Sequence, residues 1–309
     1  RSEGLDVDLT TITTHGDTST ASLAAMGGIG VFASAIRATL LKGEADIAVH
    51  SFKDLPTGRP LGLAIGAVPA RADPRDALVA RDGLTLHDLP QEASVGTGSP
   101  RRAAQLLAVR PDLTIVDIRG NVDTRLGRVK GLGHYAKGGG KEDLDAVVLA
   151  ASGLARLGHS GTVTEFLDPS VVLPAPAQGA LAVECRTADS RHGKLAKALA
   201  RIDDRRTRLA ATAERAVLSH LEAGCAAPIG ALAQLKPVSG SSPQVLTLDV
   251  VVATVDGSRI IREQVSVELP AEVDSALAAA HTLGVTAAEE LLDDGAADVA
   301  DLKASGSTR

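Results

Sequence analysis

Aromatic side chains are almost missing from this 309-residue chain: Phe32, Phe52, Phe166 and Tyr135 are the whole set, and there is no tryptophan. Its cores must therefore be built from Ala, Val, Leu and Ile. So few rings cannot assemble the stacking platforms that hold single-stranded nucleic acids. Cysteine is equally scarce. Cys185 and Cys225 cannot make a disulfide framework, which favours a reducing compartment, read here as the cytoplasm. No apolar run approaches the ~20 residues needed to span a bilayer, and no signal peptide stands at the start. A basic excess is missing too. With 32 Lys and Arg against 38 Asp and Glu the formal net charge is −6, so neither a nucleic acid nor a membrane is expected as partner. The remaining composition, 44% apolar and 23% charged, is ordinary for a globular protein, and the length suffices for two or three domains.

Through roughly the first two hundred residues, short β-like runs alternate with amphipathic stretches. Asp8 to Thr14 alternates polar and apolar and reads as a strand. Gly30 to Lys42 reads as a helix stopped by Gly43. Asp46 to His50 is a short strand, and Ser51-Phe-Lys-Asp forms a polar loop at its C-terminal end, where ligands gather in open α/β sheets. Val68 to Pro74 reads as a connector. A second α/β unit follows: a strand at Ser94, a helix opened by Ser99-Pro100, a strand over Leu113–Ile118, a helix from about Asn121, and a strand over Asp145–Ala150. Gly131 to Gly140 is glycine-rich and reads as a surface loop. Val171 to Gly179 carries two prolines and reads as a second connector, after which Ala180–Cys185 is a strand able to return to the first sheet. From about Ile202 the pattern changes to a long helix over Thr207–Glu222, two strands over 245–255 and 259–269, and a final helix over about 271–293. That order suggests a separate α+β unit.

Three constellations carry chemistry. Arg101 and Arg102 sit inside a helix start marked by Ser99 and Pro100, where free N–H groups and the helix dipole favour an anion. Arg119, Asn121 and Arg125 follow the next strand, and Arg156 the one after. Any one arginine alone is more simply a solvated surface residue. Their shared place at strand ends points to a polyanion, because guanidinium groups bind carboxylates and phosphates in bidentate fashion. The second constellation sets Lys53 beside Asp54, a carboxylate able to act as acid, base or cation stabiliser, though a turn aspartate is the commoner fate. The third is Cys225, in Leu221-Glu-Ala-Gly-Cys-Ala-Ala-Pro-Ile-Gly. A thiol among small residues after a helix is accessible enough to react, whereas Cys185 in an apolar strand reads as filler. No cysteine or histidine cluster has metal-ligand spacing, and no Gly-rich loop ends in Lys-Ser/Thr for phosphoryl transfer. From the residues alone, a non-catalytic anion-binding module with a two-domain cleft explains the arginines but leaves Cys225 without a role.

Five segments in order extend the reading. Ala45-Asp-Ile-Ala-Val-His-Ser-Phe-Lys-Asp-Leu-Pro, Val95-Gly-Thr-Gly-Ser-Pro-Arg-Arg, Arg119-Gly-Asn-Val-Asp-Thr-Arg-Leu, Leu173-Pro-Ala-Pro-Ala-Gln-Gly-Ala, and Ala213-Glu-Arg-Ala leading to the Cys225 segment together resemble the porphobilinogen deaminase family over essentially the whole chain. The resemblance implies an α/β protein of two periplasmic-binding-protein-like domains joined by two hinges, plus a small α+β C-terminal domain. On this sequence the expected divisions are 1–70 with 178–203, 75–172, and 207–309. It implies a monomeric, cytoplasmic transferase that joins four molecules of porphobilinogen into hydroxymethylbilane with release of ammonia, on a dipyrromethane primer bound covalently to Cys225. Asp54 matches the catalytic aspartate. Lys53, Ser51, Thr97, Ser99, Arg101, Arg102, Arg119, Asn121, Arg125 and Arg156 match positions around the carboxylate-bearing cofactor. Three departures are expected to matter. The family's N-terminal strand and helix are not found before Arg1, Ile29 stands where lysine is frequent, and the Gly131–Gly140 stretch looks longer than in compact relatives.

Overall fold

The computed structural model describes residues 5–12, 30–58, 60–222, 227–236 and 244–300. Three sheets organise them. The first has three strands in the order β1–β8–β2: β1 (Ile47–Ser51) and β2 (Leu63–Ala67) flank β8 (Leu181–Arg186), and both run antiparallel to it. The second has five strands in the order β5–β4–β6–β3–β7, comprising β3 (Asp76–Ala80), β4 (Ser94–Gly96), β5 (Thr114–Val116), β6 (Ala146–Ala150) and β7 (Glu165–Phe166). Here β4 pairs in parallel with β5 and β6, while β3 runs antiparallel to β6 and β7. The third is an antiparallel meander of β9 (Ile229–Leu235), β10 (Gln244–Ala253) and β11 (Ile260–Leu269). The mixed α/β class expected from the sequence is the one observed. The return of 180–185 to the first sheet is also realised, with Ile47 opposite Cys185 and Ser51 opposite Leu181.

The chain passes from the first sheet to the second over 68–75 and back over 167–180. Helices Arg205–His220 and Val273–Asp293 lie against the third sheet, and Leu209, Val217, Leu248, Leu283 and Leu291 belong to one buried cluster there. The two helices approach so closely that a Cβ on Gly284 would stand 2.2 Å from the Ala213 carbonyl oxygen, which only glycine permits. Glu214, on the first of these helices, has no exposed surface and ties all three regions together. Its carboxylate accepts from Arg71 Nη1 and Nη2 at 2.6 and 3.0 Å, from Ala177 N at 2.5 Å and from Ala233 N at 2.8 Å. Both crossing segments are thereby tied to one buried acid. In the first sheet Glu184 plays a similar local part, held bidentately by Arg37 and 3.3 Å from His50 Nε2, which supports a structural reading of His50.

Several elements differ from expectation. Residues 8–12 form no strand, and Val7 and Leu9 are 72% and 95% exposed; among the described residues no neighbouring strand pairs with this alternation. Residues 13 and 14 of that stretch lie outside the described residues. The helix expected from Asn121 is only five residues, Val122–Leu126. Strands β2, β3 and β9 and the helix Gly193–Ile202 were not anticipated. β3 is buried along its whole length, so it carries none of the alternation that marks a half-exposed strand.

Candidate active site

At one end of the five-stranded sheet the chain leaves β4, β5 and β6, and β3 enters. Thr97, Ser99, Arg101 and Arg102 follow β4, Arg119, Asn121 and Arg125 follow β5, and Arg156 closes the helix after β6. From the first sheet, Ser51 ends β1 and leads into the tight turn Phe52–Asp54, in which Phe52 is buried, Lys53 half-buried and Asp54 exposed. Arg215, on the helix Arg205–His220, fixes that turn. It donates from Nη1 to the Phe52 and Leu55 carbonyls at 2.9 and 2.7 Å and from Nη2 to the Pro56 carbonyl at 2.7 Å, with its guanidinium 4.5 Å from the Phe52 ring centroid. Its only sequence signal was its place in Ala213-Glu-Arg-Ala, beside Glu214.

The arginine pair is inside the protein. Arg101 and Arg102 are 4% and 6% exposed, and both meet Asp76, which has no exposed surface. Arg102 donates from Nε and Nη2 to Asp76 Oδ1 at 3.0 and 2.7 Å and from Nη1 to the Val148 carbonyl at 3.0 Å. Arg101 Nη1 donates to the Leu173 carbonyl at 2.6 Å and lies 2.8 Å from Asp76 Oδ2. Apart from that ion contact, the buried Asp76 Oδ2 has no hydrogen-bond partner, and neither has the buried Arg101 Nε. Gln105, one turn on, accepts from Leu173 N and donates to Leu173 O and to Arg101 O, which braces the helix start. Gln178 completes the group: its Nε2 donates to Asp76 Oδ1 at 2.9 Å and to the Pro74 carbonyl at 2.8 Å, and its Oε1 accepts from Lys53 Nζ at 3.4 Å. Burial alone would raise the Asp76 carboxyl; Arg101 and Arg102 overcome it and hold the acid well below the usual carboxylate range. Burial pushes the Lys53 ammonium down, Asp54 and Asp76 pull it back up, and Arg102 and Arg101 add to the fall. Asp76 and Gln178 were missed in the sequence, since neither belongs to a local pattern around the arginines.

The outer residues are looser. Thr97 is buried and its hydroxyl accepts from Ser99 N at 3.2 Å. Ser99 occupies the N-cap position expected of it, yet its side chain makes no capping bond. Asn121 spends its Oδ1 on capping, accepting from Thr124 N at 2.8 Å. Arg119 is an exposed partner of Asp117 at 3.4 Å, and Arg156 donates to the Gly179 carbonyl at 3.0 Å. Arg125 donates from Nε to the Gly120 carbonyl at 2.8 Å and has no acid within ion-pair distance among the described residues. Burial works against its charge, and Arg102 and Arg119 add to the effect. Cys225 and Ile29 lie outside the described residues.

Charge interactions tie Lys53 to Asp54, Asp76, Arg101 and Arg102, and tie Arg125 to Arg102, Arg119 and Asp117. Cations in excess of acids, with a buried N–H left unmatched, suit a ligand carrying several carboxylates.

Comparison with known proteins agrees with this chemistry. Residues 1–194 match the family description "Porphobilinogen deaminase, dipyromethane cofactor binding domain" and residues 208–293 match "Porphobilinogen deaminase, C-terminal domain". A porphobilinogen deaminase of Cutibacterium acnes is 96% identical over 309 residues, covering 100% of this chain and 92% of that protein. Those of Micrococcus luteus and Leifsonia xyli are 51% and 52% identical, over 95% and 98% of this chain and 86% and 88% of their own. By both measures the chain belongs to the porphobilinogen deaminase family.

Proposed function

We propose that the cleft between the first two sheets is where this chain performs its family's reaction, with Asp54 as the catalytic carboxylate and Cys225 as the covalent anchor of the cofactor. The protein is a transferase of tetrapyrrole and heme biosynthesis. It joins four molecules of porphobilinogen head to tail into hydroxymethylbilane, releases ammonia, and uses a dipyrromethane cofactor. The observation that carries the placement is the surplus of guanidinium donors at the sheet end, above all Arg125 without an acid within ion-pair distance among the described residues and Arg101 with a buried N–H unmatched.

Each pyrrole of substrate and cofactor bears an acetate and a propionate, so the donor set fits the group. Arg101, Arg102, Arg119, Arg125, Arg156 and Lys53 would hold its carboxylates, with Ser51, Thr97, Ser99 and Asn121 at the margins. When bound, the cofactor would supply the free pyrrole α-carbon to which the substrate methylene is joined, with its C–H proton released as the C–C bond forms. The chain's own part is electrostatic. Loss of ammonia from porphobilinogen breaks a C–N bond and leaves a cationic methylene, and the Asp54 carboxylate stabilises that developing charge beside the pyrrole N–H. Arg215 keeps Asp54 in place by holding the carbonyls on either side of its turn. The arginines orient the pyrroles, and the bond-making belongs to the pyrroles themselves. The chain segments 68–75 and 167–180 would serve as hinges while product grows.

Intact-mass measurement after expression with porphobilinogen available tests the assignment. The wild type carries the mass of one dipyrromethane, Cys225→Ser loses it, and Asp54→Ala keeps it but no longer turns over. An unmodified wild-type mass sinks the proposal, as does a fully active Asp54→Ala.

A further inference from the structure

Asp76 is a buried titratable group for which the chemistry above has no use. It does not belong to the helix start of Arg101 and Arg102; it reaches them from the entrance of β3, and one of its oxygens takes three hydrogen bonds, from Arg102 Nε, Arg102 Nη2 and Gln178 Nε2. The other faces Arg101 Nη1 in an ion contact at 2.8 Å and has no further partner. That division leaves the two arginines unlike. Arg102 spends its donors on Asp76 and the Val148 carbonyl, whereas Arg101 donates from Nη1 to the Leu173 carbonyl and keeps Nε unmatched. Through Gln178 the same carboxylate is linked to Lys53, beside Asp54, so it connects the second-sheet arginines to the first-sheet turn.

We infer that Asp76 is a positioning residue of the reaction: it fixes the guanidinium pair and, through Gln178, Lys53, in the orientation that receives the carboxylates of cofactor and substrate. The inference rests on the reading of the arginine cleft given above. Two buried guanidinium groups side by side repel each other, and without an acid between them each would turn to the nearest carbonyl or to water. With Asp76 in place the pair carries one net positive charge and Arg101 retains a donor for a ligand. Its geometry is set before the ligand arrives, so binding does not have to order it. A purely structural acid would instead have every oxygen matched. Asp145, at the opposite end of the same sheet, is such an acid and serves as control. Its Oδ1 accepts from Arg81 and Lys130, and its Oδ2 from Ser94 N and Oγ.

The test uses the full chain expressed with porphobilinogen available, as wild type, Asp76→Asn, Asp76→Glu and Asp145→Asn, with three readouts. Intact mass gives cofactor occupancy, steady-state kinetics separate KM from kcat, and the pH dependence of kcat/KM follows Lys53. The charged groups facing Lys53 include Asp54, Arg102, Asp76 and Arg101. Removing the Asp76 charge therefore lets the ammonium lose its proton at lower pH. For Asp76→Asn the expected result is reduced occupancy, KM raised about a hundredfold with a smaller loss of kcat, and an alkaline limb moved to lower pH. Asp76→Glu, which keeps the charge one methylene out of place, retains the alkaline limb but still raises KM, and it carries the test if Asp76→Asn does not accumulate as folded protein. Asp145→Asn moves none of the three. Wild-type KM and occupancy in the Asp76 variants, or equal changes in Asp145→Asn, overturn the inference and leave the assigned reaction untouched. A wild type without the adduct overturns the reaction itself.

Discussion

The two ends of the five-stranded sheet each hold a buried aspartate, and they use it in opposite ways. At the far end, Asp145 enters β6 with Arg81 at 2.9 Å, Lys130 at 2.8 Å and two bonds from Ser94, so each oxygen is matched twice. The cations there are partly exposed and nothing charged is left over. At the cleft end, Asp76 faces two arginines that are themselves buried, and Lys53 and Arg125 crowd the same space. One end is closed on itself and contributes stability. The other carries more positive charge than its acids neutralise, an arrangement that costs free energy in the empty protein and is offset when an anion binds. Self-sufficiency marks the structural end, and electrostatic incompleteness marks the candidate site.

That contrast can be broken or sharpened experimentally. The largest expected effect is on stability: Asp145→Asn leaves two cations facing a neutral amide and lowers the unfolding free energy by about 2 kcal/mol, read by denaturant titration, while KM for porphobilinogen is unchanged. A matching loss of substrate affinity would erase the distinction between the ends. Next, Arg125→Gln removes a cation that has no acid partner among the described residues. KM should rise about tenfold with little change in melting temperature, and a large melting shift at constant KM would argue that Arg125 is structural. The smallest effect concerns acid. Asp76 and Asp145 are both held below the ordinary carboxylate range, Asp145 against burial by Lys130, Ser94 and Arg81. A depressed folded pKa contributes stability that is fully present above the unfolded value of about 4 and is lost as pH falls through the lower folded value. The melting temperature of the wild type should therefore fall on acidification below about pH 4, and Asp145→Asn should show a shallower fall. Parallel acid limbs would mean that other carboxylates dominate.

Much of the second sheet was legible because its strands are short apolar runs punctuated by Gly, Pro and Asn. Ser94–Gly96, Thr114–Val116 and Ala146–Ala150 all stand where the patterning puts them. The helix Gly30–Lys42 was equally clear, ended by Gly43 at a φ of +75°. The alternation of 8–12 misled, because a strand needs an edge to bond to and no window of sequence supplies one. In the candidate site, the cations could be found one by one, since each follows a strand. What each does with its donors could not. Asn121 is taken up by capping, Ser99 caps nothing, and Arg102 is bound to an internal acid.

By itself the sequence determined the mixed α/β class, the family, and the row of cations at strand ends, because periodicity, turn residues and contiguous motifs are local properties of the chain. Only the tertiary structure decided which of those cations are matched. Asp76 lies 26 residues before Arg102, Gln178 102 residues after Asp76, and Glu214 143 residues after Arg71. Such pairings arise where antiparallel β3 and the crossing segments bring distant residues to one sheet end. A charge is read from its letter, but whether it is satisfied depends on what the fold sets against it.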